Sequence, residues 1–401
     1  MKVIKDSVIY ITGDLISRSI PFLLLPYLTR TLGSAGFGEL SYYQVIIALG
    51  LIFIGFSQDG ALVRYYYRYG RSGLGSLIFV GMIQETIVCT LLSLIVLFIF
   101  NDVIILYAVW AAYSQSMLAL FFGAQQCQRH PINYISIQFL NALVSAGLTV
   151  LLFSLFEPGV QYRILAMFIA NGTGLAASVF IFYFLQENTI KLSLKLFKKM
   201  FLYNMAFGLP LLLHQLSFFA KGQVDRLLVY KMFSSSILGV YSVGYQLASI
   251  FAILLMAINK AAVPYYYDHI KNGKVTKFVA KKYALLSLVI VPVPMIIFWL
   301  IPQDIYVWVL GVDFEHAKYY TIIFVLGLAL TIPYLILVNF YFYHGKNAMI
   351  AFCTISSAAV YVIFVFIFAG IEIQYVPYAM IISNFIMNAM LFFYIDKVEE
   401  K

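Results

Sequence analysis

Charged residues are scarce in this 401-residue chain: they make up 11% of it, whereas hydrophobic residues make up 63%. An ordinary soluble domain has about 25% charged residues, which cover its surface. With so few charges, a soluble globular fold of this size is excluded. Because lipid accepts apolar surface, the composition indicates an all-α polytopic membrane protein. We expect no separate soluble domain, since no stretch is long and polar enough to form one.

Cysteine and histidine are also rare. The three cysteines, Cys89, Cys127 and Cys353, lie in or beside apolar segments without paired spacing, and the five histidines are scattered. This pattern predicts no disulfide framework, metal site or bound cofactor. The chain also lacks a phosphate-binding glycine-rich loop with lysine and a nucleophile elbow. We therefore predict that it is not an enzyme.

What the chain does contain is a series of apolar segments about 20 residues long, the length that crosses a bilayer as a helix. Twelve are visible: Val8–Leu28, Leu40–Phe56, Leu77–Phe100, Val103–Phe122, Ile135–Phe156, Ile164–Leu185, Met205–Tyr230, Ile237–Ile258, Ala284–Ile301, Thr321–Tyr343, Met349–Ala369 and Val376–Tyr394. The apolar N-terminal segment has no small-residue cleavage site and reads as a retained first span. We predict twelve transmembrane helices.

Lys and Arg residues are distributed unevenly between alternate connections. The side that holds the N-terminus carries 18 of the 26, and the opposite side carries four: Arg30, Arg163, Lys231 and Lys318. Cytoplasmic connections carry the excess, so both termini are predicted to be cytoplasmic. The net charge of +9 then reflects topology and contact with anionic membrane lipid, and no nucleic-acid partner is predicted.

The chain repeats itself at about half its length. The matches are Tyr65–Tyr67 with Tyr265–Tyr267, Arg30 with Lys231, Ser34 with Ser235, Gly38 with Gly239 and Ser41 with Ser242. Chance matching in a Tyr-rich chain is the alternative explanation. A duplication predicts two pseudo-symmetric six-helix bundles of the same orientation, over residues 1–190 and 191–401.

Two segments resemble a known family. In the first half, Pro21-Phe-Leu-Leu-Leu-Pro26-Tyr-Leu-Thr-Arg30-Thr-Leu-Gly33 is followed by Gly36-Phe37-Gly38. In the second half, Gly208-Leu-Pro210, Asp225-Arg226 and Leu238-Gly239-Val-Tyr241-Ser precede Pro264. These stretches are similar to polysaccharide-exporter proteins, which include the Wzx-type O-antigen flippases of the multidrug/oligosaccharidyl-lipid/polysaccharide (MOP) superfamily.

The resemblance implies two six-helix bundles around a central cavity. It also implies a flippase that moves an undecaprenyl-pyrophosphate-linked oligosaccharide, an O-antigen or capsular repeat unit, across the bacterial inner membrane during lipopolysaccharide or polysaccharide biosynthesis. Ion-coupled alternating access with H+ or Na+ and a polysaccharide polymerase partner are the corresponding expectations. Asp14 and Arg18 lie outside the stretches that carry the resemblance, so their roles rest on physical argument.

Charged residues inside the spans indicate the candidate site, because each costs roughly 2.5–3.5 kcal/mol at a span centre. Two pairs at i,i+4 spacing, Asp14/Arg18 and Lys221/Asp225, lie on the equivalent first and seventh spans. We predict substrate-binding cations at Arg18, Lys221 and Arg226, and coupling or charge-balancing carboxylates at Asp14, Glu85 and Asp225. The structural alternative is that each pair neutralises itself in a buried polar stripe, while Arg226 extends to the headgroups and Glu85 is interfacial.

Three alternatives to a flippase remain open at this point. A cation-coupled multidrug antiporter of the same superfamily would need an anionic cavity, whereas the spans here hold four Lys/Arg and three Asp/Glu. A membrane-embedded glycan polymerase or acyltransferase would need large outer loops, but the longest outer connection is Pro302–Tyr320. The third is a twelve-span sugar or metabolite transporter of another fold.

Overall fold

The structure is a computed structural model that describes residues 2–186, 189–190 and 193–398. Side chains are described in this part except at residues 2–12, 14, 15 and 18. Within this part the chain is helical, and no strand is present. The predicted all-α fold is therefore confirmed.

Six α-helices lie within the described residues 2–186. They are α1 (Lys2–Gly55), α2 (Gln58–Tyr69), α3 (Leu74–Ile95), α4 (Val103–Cys127), α5 (Pro131–Leu155) and α6 (Val160–Val179). Short π-helical stretches, Val96–Phe100 and Phe180–Leu185, continue α3 and α6. Asp102 caps the start of α4, where its Oδ1 accepts hydrogen bonds from the backbone N–H groups of Ile104 and Ile105.

Nine α-helices lie within the described residues 193–398. They are α7 (Leu194–Met232), α8 (Ser235–Lys271), α9 (Lys277–Ser287), α10 (Pro292–Leu300), α11 (Gln303–Leu310), α12 (Ala317–Ala329), α13 (Thr331–Tyr343), α14 (Asn347–Ala369) and α15 (Tyr378–Tyr394). The pairs α9/α10 and α12/α13 each make one membrane span with a short irregular junction. Helix α11 lies in the predicted outer connection between spans nine and ten.

Eleven helices of the described part are long and apolar enough to cross a membrane, and the first of them, Ser19–Tyr69, has 51 residues. At 1.5 Å per residue it would be about 76 Å long, more than twice the hydrocarbon thickness of about 30 Å. Non-helical torsion angles at Gly33 (φ 65°, ψ −177°) divide α1 into two helices. The first and second predicted spans lie on either side of this break, so the helices match the twelve predicted spans.

Contacts divide the chain into two compact units. The first consists of Met1–Leu32 and Glu39–Leu216, and the second of Gly33–Gly38 and Ser217–Lys401. Helix α7 is thus shared, with its residues up to Leu216 in the first unit. The predicted domain boundary after residue 190 remains a prediction.

Each unit has its own apolar core. In the first unit Phe121 and Phe182 are fully buried and meet edge to face, with ring centroids 5.7 Å apart. In the second unit Phe340 and Tyr341 are fully buried, and the Tyr341 hydroxyl donates a 2.7 Å hydrogen bond to the Leu391 carbonyl. Large apolar side chains such as Phe98, 84% exposed, remain on the outside, as expected for a surface in contact with lipid.

The repeat-matched glycines Gly38 and Gly239 meet in the second unit. A Cβ atom on Gly38 would collide with the backbone of Ser235, and one on Gly239 would collide with the backbone of Ser34. Glycine therefore lets the start of α8 approach the Gly33–Gly38 segment backbone to backbone, as small residues do between membrane helices. Two blocks that the sequence aligns as repeats are in direct contact here.

This contact gives the first testable expectation. Gly239→Val should lower the free energy of unfolding by about 1–3 kcal/mol or more, because backbone atoms cannot move aside as a flexible side chain would. Thermal unfolding of the purified protein in neutral detergent measures the effect. The matched control is Gly222→Ala, since a Cβ at Gly222 meets no atom within 4 Å. Equal melting temperatures for Gly239→Val and the parent protein would contradict the close contact.

Candidate functional site

Helix α7 carries three of the six predicted site residues, Lys221, Asp225 and Arg226, all within the second unit. Glu85 lies on α3 in the first unit. Asp14 and Arg18 lie on α1, and their side chains fall outside the described part of the structure. The predicted Asp14/Arg18 pair and its role therefore remain predictions.

The carboxylate of Asp225 is buried among tyrosines. Its side chain is 2% exposed, and Oδ2 accepts a 2.6 Å hydrogen bond from the Tyr241 hydroxyl on α8. Tyr361 on α14, also buried, provides a second phenol next to this carboxylate. Charge-assisted hydrogen bonds of this kind are short and strong, so the bond from Tyr241 fixes Asp225 to α8, whereas Oδ1 is buried without a hydrogen-bond partner.

Arg226 points to a different set of partners. Its Nη1 donates a 2.6 Å hydrogen bond to Gln223 Oε1, and its guanidinium carbon lies 4.4 Å from the ring centroid of Tyr245. Tyr245 in turn meets Phe324 edge to face at 5.2 Å. Arg226 is therefore stacked on an aromatic wall of α8 and α12, a favourable position for a partly desolvated cation.

Lys221 is a cation whose partners among the described side chains are neutral. Its Nζ donates a 2.8 Å hydrogen bond to Ser357 Oγ and lies 3.6 Å from Met387 Sδ. Ser357 Oγ donates onward to the Ser383 carbonyl at 2.8 Å. Among the side chains that the structure describes, no carboxylate forms an ion pair with Lys221. The ammonium group thus has donor capacity that these partners do not use.

The contacts argue against the structural alternative in which Lys221 and Asp225 neutralise each other as an ion pair. The two residues are four apart on one face of α7, but they contact different residues of α14, Ser357 and Tyr361. Those two α14 residues are themselves four apart. Two successive turns of α7 therefore face two successive turns of α14, and tertiary partners replace the i,i+4 partner.

Glu85 is buried in the first unit without a bonded partner. Its side chain is 0% exposed, and neither carboxyl oxygen makes a hydrogen bond within the described residues. The Ser116 hydroxyl faces it without reaching hydrogen-bonding geometry. Gln58 Oε1, next to Gly81 one turn earlier on α3, is likewise buried and unbonded. An ionised carboxylate in such a place is costly, so Glu85 requires a bound proton or another cation.

Adjacent to Glu85, Gln84 links α3 to α7. Asn204 Nδ2 donates a 2.7 Å hydrogen bond to Gln84 Oε1, and both residues are buried. A bonded amide pair thus lies directly beside the unbonded carboxyl group of Glu85.

Sequence reasoning missed the neutral partners of the site. The predicted site residues did not include the serines Ser357 and Ser383 or the tyrosines Tyr241, Tyr245 and Tyr361. A usable signal was present on α15, where Ser383, Asn384 and Asn388 recur on one face of an apolar span and all three are buried. Polar side chains with helical spacing inside a span indicate a face that avoids lipid.

Comparison with known proteins places these features in a family. Residues 3–270 match the family described as "Polysaccharide biosynthesis protein". The Haemophilus influenzae protein "Lsg locus putative protein 1" is 41% identical over 403 residues, which cover 100% of both chains. A second H. influenzae chain, "Uncharacterized membrane protein", is 39% identical over 401 residues, covering 100% of this chain and 98% of its own.

Solved structures agree on the fold. A MOP superfamily transporter from Pyrococcus furiosus, whose description reports a binding pocket of reverse polarity, superposes with a TM-score of 0.64 at 14% identity, covering 98% of this chain and 95% of its own. An outward-facing multidrug resistance MATE family transporter of the same superfamily gives 0.65 at 14% identity, with the same coverage. At this identity the likeness establishes architecture. The chain therefore belongs to the polysaccharide biosynthesis protein family and has the fold of the MOP superfamily transporters.

Proposed function

We propose that this protein is a flippase that carries a lipid-linked oligosaccharide, with an undecaprenyl-pyrophosphate anchor, across the bacterial inner membrane. Family membership and the transporter fold support a membrane transporter over an enzyme such as a glycan polymerase or acyltransferase. The observation that supports an anionic substrate concerns Lys221. This cation lies inside a span, and its bonded partners, Ser357 and Met387, are neutral.

A pyrophosphate group will not enter hydrocarbon unless cations and donors replace its water. Lys221 supplies a compact ammonium with unused donors, and Arg226 supplies a planar guanidinium. Asp225 is fixed by Tyr241 and does not bond to Lys221. It therefore balances the charge of Lys221 from a distance and leaves the N–H donors of the ammonium group to the substrate. Arg18 is the third proposed cation, by its place in the first span, with Asp14 as its balancing carboxylate.

Glu85 is the proposed coupling residue, and the proposed ion is H+. The protonated form suits a buried carboxyl group without partners, and the ionised form suits a conformation that exposes it to water. Binding and release of one proton would then favour different conformations, which is the requirement for coupling. Na+ would instead need several oxygens arranged around the carboxylate.

The proposed topology places both termini in the cytoplasm, with basic connections against anionic lipid headgroups. A polysaccharide polymerase on the outer side is the proposed functional partner. The competing proposal is a cation-coupled multidrug antiporter, because a multidrug resistance transporter shares the fold. The aromatic cage around Asp225 is the feature that would suit a cationic drug.

A reconstitution assay separates these two proposals. Purified protein in liposomes is given either a fluorescent undecaprenyl-pyrophosphate-linked saccharide or a cationic dye such as ethidium, each under an imposed pH gradient. We expect the lipid-linked saccharide to become accessible on the opposite leaflet and the dye to stay outside. Empty liposomes and liposomes with Lys221→Met protein are the controls. Dye uptake without saccharide movement would favour the antiporter and end the flippase proposal.

A further inference from the structure

Arg163 is a buried arginine that the proposed function does not use. The charge pattern assigned it to an outer connection, but it is the fourth residue of α6, and only 8% of it is exposed. Its Nη1 donates hydrogen bonds to Thr149 Oγ1 at 2.8 Å, to Ser145 Oγ at 2.9 Å and to the Ser145 carbonyl at 3.3 Å. The side chain is therefore fixed against α5.

The charge on Arg163 has no counter-ion in the part of the chain that the structure describes. All three acceptors are neutral oxygens, they all bond to Nη1, and Nε is buried without a partner. Arginine stays protonated in proteins, so this group remains a cation. A buried cation that keeps unused donors calls for an anion.

A cavity of about 170 Å³ adjoins this guanidinium inside the first unit. Among the described side chains, its polar lining consists of Gln115, Asn141, Ser145, Arg163 and Asn171, with no carboxylate. Asn141 Nδ2 donates a 2.9 Å hydrogen bond to Asn171 Oδ1, which leaves the Asn171 amide nitrogen as a donor. The cavity thus combines one cation with neutral donors, the composition of an oxyanion site.

We propose that this cavity binds a single phosphate group carried by a membrane lipid. Its volume is below the 300–1,000 Å³ of ordinary ligand pockets, so it fits one charged group and not a whole glycan. The planar fork of an arginine matches phosphate oxygens. Arg163 lies in the first turn of α6, which the predicted topology places near the outer headgroups, where phosphate is the abundant anion.

The apolar part of the lining suits a lipid. Pro21 and Leu24 of α1 and Met167 of α6 line the same cavity. A phosphate that brings an acyl or isoprenoid chain can place that chain against such a wall, whereas free inorganic phosphate cannot. Two sources share this chemistry: an anionic glycerophospholipid and a polyprenyl phosphate carrier. The site does not depend on the proposed transport cycle.

Binding is measured on the intact protein in neutral detergent with two probes, dioleoyl phosphatidylglycerol and undecaprenyl phosphate, with sodium chloride added to equal ionic strength as the reference. Thermal unfolding reports binding, because a ligand of the folded state raises the melting temperature. We expect at least one probe to raise it in the parent protein. Arg163→Gln should lower the affinity for that probe by about tenfold or more, the loss expected when a charge-assisted hydrogen bond is removed.

Arg163→Gln also removes bonds to α5, so a second variant is needed. Ala146→Leu fills the cavity and leaves those bonds intact, and Gly147→Leu adds the same side chain at a neighbouring position outside the cavity lining, where an added Cβ meets nothing within 4 Å. Ala146→Leu should lose the response and Gly147→Leu should keep it. A response to one probe alone identifies the source. An equal response in all variants, or one that sodium chloride reproduces, would overturn the proposal.

Discussion

Methionine in place of Lys221 is expected to leave the protein at its normal level in the membrane and to reduce export of the lipid-linked oligosaccharide by about tenfold or more. The size follows from loss of a charged hydrogen-bonding partner for pyrophosphate, worth roughly 1.5–3 kcal/mol. Methionine has a similar length and no charge, and the site already contains Met387. Accumulation of the lipid-linked precursor on the cytoplasmic side, measured in intact cells, gives the export defect.

Two matched variants test whether the charge itself is required. Ser357→Ala removes the hydrogen bond to Lys221 and keeps the ammonium, so it should retain most of the export. Lys260→Met removes an exposed lysine of α8 and should retain all of it. If Lys221 only stabilises the fold, Lys221→Met should instead lower the protein level. Full export by Lys221→Met would end the proposed role of this residue.

The sequence predicted the helices well because the bilayer imposes a simple rule on it. A span needs about 20 apolar residues, and each of the twelve predicted segments coincides with a helical span, although Ala284–Ile301 and Thr321–Tyr343 are each divided into two helices. Helix ends were less accurate: α7 begins at Leu194 and not Met205, and α8 continues to Lys271 and not Ile258. Hydropathy reports where hydrocarbon ends, whereas a helix continues through the interface while its backbone hydrogen bonds can form.

The charged residues of the site could also be found in the sequence, because a charge inside a span is rare and costly. Their hydrogen-bonding partners could not be found in this way. Spacing along α7 suggested a Lys221/Asp225 pair, but α14 offers each residue a different partner, and packing between helices is not encoded in spacing along one of them. Arg163 was missed for another reason. It lies at the end of an apolar segment, where the sequence does not distinguish a connection from the first turn of a buried helix.

Glu85→Gln is expected to keep the fold and abolish the response of transport to a pH gradient. Glutamine has the shape of the protonated acid, so it suits a site in which neither carboxyl oxygen is bonded. Besides the Ser116 hydroxyl, the titratable groups near Glu85 among the described side chains are Asp59 of α2, Cys89 of α3 and Tyr113 of α4, and none of them is a cation that would stabilise the ionised form. Movement of the fluorescent saccharide in liposomes, with and without the gradient, measures the response.

The parent protein should move saccharide faster under a pH gradient than without one. Glu85→Gln should move it at the same slow rate in both conditions, because glutamine neither binds nor releases a proton and the gradient then cannot favour one conformation. Asp268→Asn, which neutralises an exposed carboxylate of α8, should respond like the parent and controls for a general loss of negative charge. The comparison is made in sodium-free buffer. A gradient response that Glu85→Gln preserves would remove this residue from coupling. A parent response that appears only after Na+ is added back would show that the coupling ion is Na+ and not the proton.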